Sequence, residues 1–160
     1  MKHTAVAYCL CLSMMLAALW PSAADARSLS IADPEEVMNL ARGYGSAVLK
    51  KDSQGDPMIS CKADGLGYSI YFYNCKDGKD CTSIQWHSGF ELKSPVKYGT
   101  INDWNSKKRF SRAVRDSDGD ALIRMDMLFT GGTTSDNVDR NMDLWISLLK
   151  EFAAHIGYRN

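Results

Sequence analysis

The chain lacks any excess of charge, because its 160 residues carry 19 lysines and arginines against 19 aspartates and glutamates. Removing the first 26 residues, for reasons given below, takes away one charge of each sign and keeps the balance at zero. A chain without net charge has no general electrostatic attraction for nucleic acid or for an anionic membrane surface. We therefore expect the mature protein to bind neither nucleic acid nor a membrane.

The residue sets that carry out common chemistry are also missing. His87 and His155 are the two histidines after residue 26, and neither has a second ligand at metal-binding spacing. A Gly-x-Ser-x-Gly sequence for a serine nucleophile does not occur. The acidic stretch Asp116–Asp120 departs from a calcium loop at its sixth position, Ala121, and at its twelfth, Met127, so we expect a polar hairpin turn there. The sequence thus predicts no enzyme activity, no cofactor and no metal site.

Long apolar runs are absent too, except for one at the start of the chain. Small and apolar residues extend from Thr4 to Trp20, and Ala24–Ala26 supplies small residues at the positions that signal peptidase requires. Pro21 interrupts the run before it is comfortably long enough to span a bilayer. We expect residues 1–26 to be a Sec-type signal peptide cleaved after Ala26, so that the mature protein is periplasmic or secreted.

Cysteine is scarce after this leader, where only Cys61, Cys75 and Cys81 remain. An odd number in an oxidising compartment predicts one disulfide with one further thiol, or an intermolecular bridge. Cys75 and Cys81 lie symmetrically about Gly78, so a hairpin centred there would place them opposite each other. We predict a Cys75–Cys81 disulfide, which would stabilise the fold by about 2 kcal/mol for so short a loop, and a Cys61 that is free or half-buried. The pair does not have the Cys-x-x-Cys spacing of an oxidoreductase.

The pattern of polar and apolar residues predicts one domain over residues 33–157, after a short tether at residues 27–32. Asp33–Glu36 begins a helix, and apolar residues continue at helical spacing as far as Val48. Apolar residues from Val138 to Ile156 are spaced by three and four and predict a closing helix. We predict five strands at residues 58–62, 68–75, 81–90, 110–115 and 121–129, with a short helix or turn at residues 100–108.

The predicted element order is α-β-β-β-α-β-β-α. Short turns between successive strands make neighbouring strands antiparallel, and two amphipathic helices need one face of a sheet on which to bury their apolar sides. The fold class is therefore predicted to be α+β. We expect an antiparallel sheet of about five strands, with long N- and C-terminal helices packed on one face.

Aromatic residues in two strands provide the best candidate for a binding face. If Ile70 and its even-numbered neighbours face the helices, then Tyr71, Tyr73, Gln85 and His87 share the opposite face. Tyrosines on an open sheet face suit protein recognition, although they also serve plain cross-strand packing. Trp104 and Asn105 are similarly ambiguous, and here we expect an indole that attaches a short helix to the sheet.

Several motifs taken together indicate a family. Tyr68–Tyr73 leads into Cys75, Gly78 and Cys81, and Ile84–Trp86 follows in the next strand. Further motifs are Ile101–Asn105, Lys108–Phe110, Asp118–Gly119, Gly131–Gly132 and a closing helix that contains a tryptophan. With these motifs, the stretch from Ile59 to Phe152 resembles the YbjN family, often described as bacterial sensory transduction regulators. The resemblance implies a fold similar to type III secretion chaperones, and it supplies no established catalytic residues.

These observations lead to a functional expectation. We expect an exported, non-enzymatic protein-interaction or chaperone-like regulatory module, whose partner is either another protein or a second copy of the chain in a homodimer. The alternative is a small-ligand-binding protein or a hydrolase whose site is made of dispersed residues. An enzyme of that kind would gather His87, His155 or several acids in a deep pocket, whereas a binding module would present a flat exposed face.

Overall fold

The computed structural model describes Ser28–Leu29 and residues 32–159, so the predicted signal peptide and its cleavage point lie outside the described residues. The elements in chain order are β1 Ser28–Leu29, α1 Pro34–Arg42, β2 Ser46–Lys51, β3 Pro57–Ala63, β4 Leu66–Tyr73, β5 Ser83–Phe90, α2 Tyr98–Lys107, β6 Arg112–Arg115, β7 Ala121–Leu128, β8 Thr133–Thr134 and α3 Ser135–His155. The predicted α+β class is confirmed.

Strands β2 to β7 form one antiparallel sheet in the order β2-β3-β4-β5-β7-β6, and β1 pairs with β8 in a small second sheet. Helices α1 and α3 pack on one face of the larger sheet, since the side chains that alternate toward them are buried. Trp86 of β5 and Met142 of α3 meet in the core, where the indole Nε1–H donates to the Met142 sulfur at 3.2 Å. The layout therefore has the helix-flanked antiparallel sheet that the sequence predicted.

The first helix is shorter than predicted. Its start is as expected, because Asp33 Oδ1 accepts hydrogen bonds from the backbone N–H groups of Glu35 and Glu36 at 2.9 and 3.2 Å. It ends at Arg42, however, and the extension to Val48 is wrong. Gly45 has φ of +152°, which breaks the helix, and residues 46–51 form the sixth strand, β2. Val48 consequently points away from the helices and is 55% exposed.

The predicted tether takes part in the fold. Ser28 and Leu29 pair with Thr134 and Thr133, and the Leu29 side chain is buried. Ala32 is also buried, and its N–H donates to the carbonyl oxygen of Cys81 at 2.8 Å. The described part of residues 27–32 is thus joined to both the start of α3 and the β4–β5 hairpin.

Two hairpin turns have the same construction, Asp-Ser-x-Gly-Asp, at residues 52–56 and 116–120. In each turn the first aspartate accepts backbone N–H bonds from the second and fourth residues after it, at 2.8–3.0 Å. The carboxylate of Asp116 is therefore used to hold the β6–β7 turn, which confirms the polar hairpin turn expected there.

One edge of the sheet is covered by a side chain. The Oδ1 atom of Asn105 in α2 accepts a hydrogen bond from the backbone N–H of Ala113 at 2.8 Å. The Nδ2 atom of Asn105 donates to the carbonyl oxygen of Ala113 at 2.9 Å. Both outward-facing backbone groups of Ala113 on edge strand β6 are thereby satisfied. An edge strand with unpaired backbone groups invites pairing with another chain, so Asn105 shortens the exposed edge.

Replacing Asn105 with alanine is expected to lower the free energy of unfolding by about 2 kcal/mol, because two backbone groups lose their partners. Urea denaturation of the two proteins measures the difference. Asn102 lies exposed on the same helix, and Asn102→Ala is the matched control, expected to change stability by less than about 0.5 kcal/mol. Equal stability of the Asn105 variant and the parent would show that water replaces both bonds without cost.

Candidate binding face

The four residues predicted to form a binding face do lie on one face of the sheet. Tyr71 is paired with Gln85, His87 with Ser69, and Tyr73 with Ser83. Their neighbours along the strands, Ile70, Phe72, Ile84 and Trp86, are buried against the helices. We call the opposite side of β2–β7, whose side chains point away from α1 and α3, the outer face.

Two cross-strand rows form the centre of the outer face. Strand register places these residues directly opposite one another: Lys50, Met58, Tyr71, Gln85 and Asp126 in the first row, and Val48, Ser60, Ser69, His87, Arg124 and Arg112 in the second. A further row joins Tyr73, Ser83 and Leu128. The sequence predicts only the residues of these rows that belong to β4 and β5. The segment of β2 has helical spacing, and the order of strands in a sheet cannot be read from single strands.

The four predicted residues differ in how far they are exposed. Tyr73 is 43% exposed, whereas Tyr71 is half-buried and its ring meets that of His87 edge-to-face with 5.8 Å between centroids. Gln85 is only 8% exposed, and its Nε2 donates to Asp126 Oδ1 at 2.6 Å. Tyr73 therefore offers contact area to a partner, while Gln85 instead orients Asp126.

Large apolar residues that sequence reasoning missed extend this surface. Leu128 is 71% exposed at the end of the row that contains Tyr73, and Val48 is exposed on edge strand β2. The alternation along β7 could have indicated Leu128, since Met127 and Phe129 on either side of it are buried. Val48 is not identified from the sequence, because the apolar spacing of its segment predicts a helix and not the strand β2.

Positive charge is concentrated near His87. Burial lowers the pKa of His87 from its usual value, and the positive charge of Arg124, its cross-strand partner, lowers it further. The Nε–H of Arg124 is buried and finds no acceptor among the described residues. Arg112 Nε approaches Asp126 Oδ2 no closer than 3.9 Å, beyond hydrogen-bonding distance.

The cysteines behave as the sequence predicted. Cys75 and Cys81 are joined by a disulfide at the base of the hairpin that connects β4 to β5. Cys61 is a free thiol on the helix side of β3, where burial raises its pKa to about 11. A thiol with so high a pKa is almost wholly protonated near neutral pH and is a poor nucleophile.

Trp104 is buried, and its ring packs on helix α3 and not on the sheet to which it was expected to attach α2. Its Nε1–H donates to Ser111 Oγ at 3.2 Å, and its ring packs edge-to-face on Phe152 of α3 with centroids 5.0 Å apart. The indole thus attaches α2 to α3, and Asn105 attaches it to β6. Neither side chain is a candidate for partner contact.

The two histidines are far apart in the fold. His87 is on the outer face, while His155 of α3 has its Nε2 2.9 Å from the carbonyl oxygen of Thr100. A recess of about 570 Å³ lies between the start of α1 and the β4–β5 turn; three acidic residues, Asp33, Glu35 and Asp80, line it, and neither described histidine does. Among the described residues no three His, Cys, Asp or Glu side chains are grouped to hold a metal ion. Nor is any helix in the described part long and apolar enough to cross a membrane.

The geometry defines an α+β domain with helices on one side of a six-stranded sheet and, on the other, a face that no described helix covers. Residues 33–157 match the YbjN family, whose description is "Putative bacterial sensory transduction regulator". The match covers most of the chain, so the protein belongs to the YbjN family, and the resemblance found in its motifs is confirmed. No curated protein matches the chain.

Proposed function

We propose that the protein is exported and then acts as a non-enzymatic, regulatory or chaperone-like module that binds a partner protein through its outer face. The observation that carries this proposal is the exposure of Tyr73, Leu128 and Val48 on a sheet face that no described helix covers. Membership of a family described as regulatory agrees with it. The alternative, a small-ligand-binding protein or a hydrolase, would use the recess that Asp33, Glu35 and Asp80 line, and neither described histidine lines it.

The exposed apolar residues give the outer face its binding character. Tyr73 and Leu128 stand on either side of Ser83 in one row, so their side chains form a contact strip across three strands. Tyrosine contributes a large contact area at a small entropic cost, and its hydroxyl group keeps the unbound face hydrated. A flat strip of this kind suits the surface of another polypeptide better than it suits an enclosed small molecule.

Export is proposed from the leader and supported by the fold. Leu29 and Ala32 belong to the core, and cleavage after Ala26 would leave both in place. The Cys75–Cys81 disulfide suits an oxidising compartment. N-terminal sequencing of protein recovered from the periplasm or medium is expected to begin at Arg27, and an intact Met1 on cytosolic protein would contradict export.

Site-specific crosslinking tests the binding face. A photoreactive amino acid at Tyr73 is expected to crosslink a partner, identified by mass spectrometry, whereas the same group at Ser147 on the exposed side of α3 is expected to give none. The variants Tyr73→Ser and Leu128→Ser are each expected to weaken partner binding by about ten-fold, since exposed aromatic and aliphatic anchors dominate such contacts.

Exposed apolar residues elsewhere supply the control. Phe110 is 63% exposed in the α2–β6 connection, outside the strands that form the outer face, and Phe110→Ser is expected to leave partner binding unchanged. All three variants should retain the parent melting temperature, because none of these side chains is in the core. Equal crosslinking from Ser147 and Tyr73, or equal loss of binding in the Phe110 variant, would contradict the proposed face.

A further inference from the structure

The outer face carries charges of predominantly one sign, although the whole chain is neutral. Register and alternation place Lys50, Lys62, Arg112 and Arg124 on this face, and Asp126 is the one acidic residue among its described strand positions. Zero net charge therefore does not describe this surface. A protein surface with clustered charge of one sign selects partners of the opposite sign and raises the rate at which they bind.

Six of the acids that balance the chain lie on helices α1 and α3. Helices α1 and α3 contain Glu35, Glu36, Asp136, Asp139, Asp143 and Glu151, against the basic residues Arg42, Arg140 and Lys150. Because α1 and α3 cover the other side of the sheet, these acids are separated from the outer face by the core. They cannot neutralise the arginines of β6 and β7 at close range.

The charge is concentrated in one cross-strand row. His87, Arg124 and Arg112 are directly opposite one another on β5, β7 and β6. Arg112 and Arg124 are like charges in directly opposite positions, and such a pair destabilises a sheet in the protein alone. The single nearby acid does little to relieve it, because Asp126 Oδ1 is held by Gln85 at 2.6 Å and its Oδ2 is 3.9 Å from Arg112.

Arg124 also has an unused donor. Its Nε–H is buried and finds no acceptor among the described residues, and a buried donor without a partner costs about 1–3 kcal/mol. Arg124 also acts on its cross-strand neighbour His87. Burial lowers the pKa of His87, and the positive charge of Arg124 lowers it further, since both disfavour the protonated form. An anionic group placed above the row would offset the positive charge of Arg124, which is the second cause of the lowered His87 pKa.

We propose that the row His87–Arg124–Arg112 binds carboxylate groups of an acidic segment in the partner polypeptide. The inference rests on the proposed function, since it names the chemistry of the partner at the same face. Arginine offers a planar fork of donors that matches the two oxygens of a carboxylate. The apolar side chains of Tyr73 and Leu128 beside the row favour a polypeptide, which brings apolar contacts together with charge, over a free inorganic anion.

Fluorescence anisotropy with a short synthetic peptide of alternating glutamate and threonine tests the proposal. The full mature chain is expected to bind this peptide more tightly at low salt than at high salt. It is expected not to bind the same peptide with glutamine in place of glutamate. The double variant Arg112→Gln/Arg124→Gln is expected to weaken binding by about ten-fold, and Arg112→Lys/Arg124→Lys by less, since it keeps both charges.

A charge-matched variant separates this site from general attraction. Lys107→Gln/Lys150→Gln removes the same charge from α2 and α3, away from the outer face, and is expected to change the affinity less than two-fold. Equal loss in both double variants, or no loss in the arginine variant, would overturn the proposal. The variant Arg112→Gln/Arg124→Gln could lower the melting temperature while Arg112→Lys/Arg124→Lys keeps the parent value. In that case the affinity of the lysine variant and the comparison of the glutamate with the glutamine peptide decide the result.

Two further measurements address other occupants. Co-sedimentation with phosphatidylcholine vesicles, with and without phosphatidylglycerol, would overturn the polypeptide proposal if the arginines mediated lipid binding and the acidic peptide did not bind. Arginine-dependent self-association in analytical ultracentrifugation would overturn it in favour of a second copy.

Crosslinking separates this proposal from the proposed function. Crosslinking from Tyr73 that persists in the Arg112→Gln/Arg124→Gln variant would leave the proposed function standing and contradict only the acidic chemistry of the partner.

Discussion

Replacing Gly45 with alanine is expected to lower the free energy of unfolding by about 4 kcal/mol or to prevent folding. A Cβ atom at this position would lie 2.2 Å from the carbonyl oxygen of Lys62, far closer than two such atoms approach in proteins. The obstacle is backbone, so no side chain can rotate away. Strand β2 would have to move away from β3 at the Ser46–Lys62 pair, and the edge of the outer face would move with it.

Gly43 is the matched control for this prediction. It lies two residues earlier with φ of −63°, and an added Cβ would meet only the Leu40 carbonyl oxygen at 3.2 Å. Alanine is conformationally acceptable there, so Gly43→Ala is expected to change the free energy of unfolding by less than about 1 kcal/mol. Urea denaturation followed by circular dichroism measures both variants. Similar stability of the two would show that the close approach of β3 does not require Gly45.

Truncating Trp104 to alanine is expected to lower the free energy of unfolding by about 4 kcal/mol, which is typical of removing a buried indole. The change leaves a cavity against Phe152 and removes the donor to Ser111 Oγ. Helix α2 would then be held by buried Ile101, by Asn105 and by the contact of His155 with the Thr100 carbonyl oxygen. We expect hydrogen exchange of the Ala113 amide to accelerate as well, because its acceptor is on that helix.

Trp104→Phe separates packing from hydrogen bonding. It keeps an aromatic ring against Phe152 and loses the donor to Ser111, so a cost of about 1–2 kcal/mol is expected. Thermal and urea denaturation of the parent and both variants provide the comparison. If Trp104→Ala were as stable as Trp104→Phe, the indole would not be what attaches α2 to α3.

Local patterns were sufficient for much of the fold. The cap at Asp33 located the start of α1, and the spacing from Val138 to Ile156 located the apolar face of α3, since cap bonds and amphipathic periodicity depend on neighbouring residues. The symmetry of Cys75 and Cys81 about Gly78 identified the disulfide for the same reason. Strict alternation along β4 and β5 correctly separated Tyr71 and Tyr73 from Ile70 and Phe72.

The segment around Val48 shows where local patterns failed. Ala41, Tyr44 and Val48 fit a helical stripe, yet Gly45 fits closely against the Lys62 carbonyl and β2 pairs with β3 instead. Pairing with β3, which places Ser60 opposite Val48, overrides local helical spacing, because its hydrogen bonds and the burial of Ala47 do not appear in the spacing of nearby residues. The sixth strand and its contribution to the outer face were therefore missed.

By itself the sequence determined the fold class, the apolar face of α3, the disulfide and the family, because each depends on residues that are close in the chain or on motifs read in order. The order of the strands was decided only in the tertiary structure, through long-range pairing. That pairing brought Arg112 and Arg124 beside His87 and left Tyr73 and Leu128 exposed in one row. The charge of a sheet surface depends on which strands are neighbours in the sheet. The net charge of the composition therefore does not predict it.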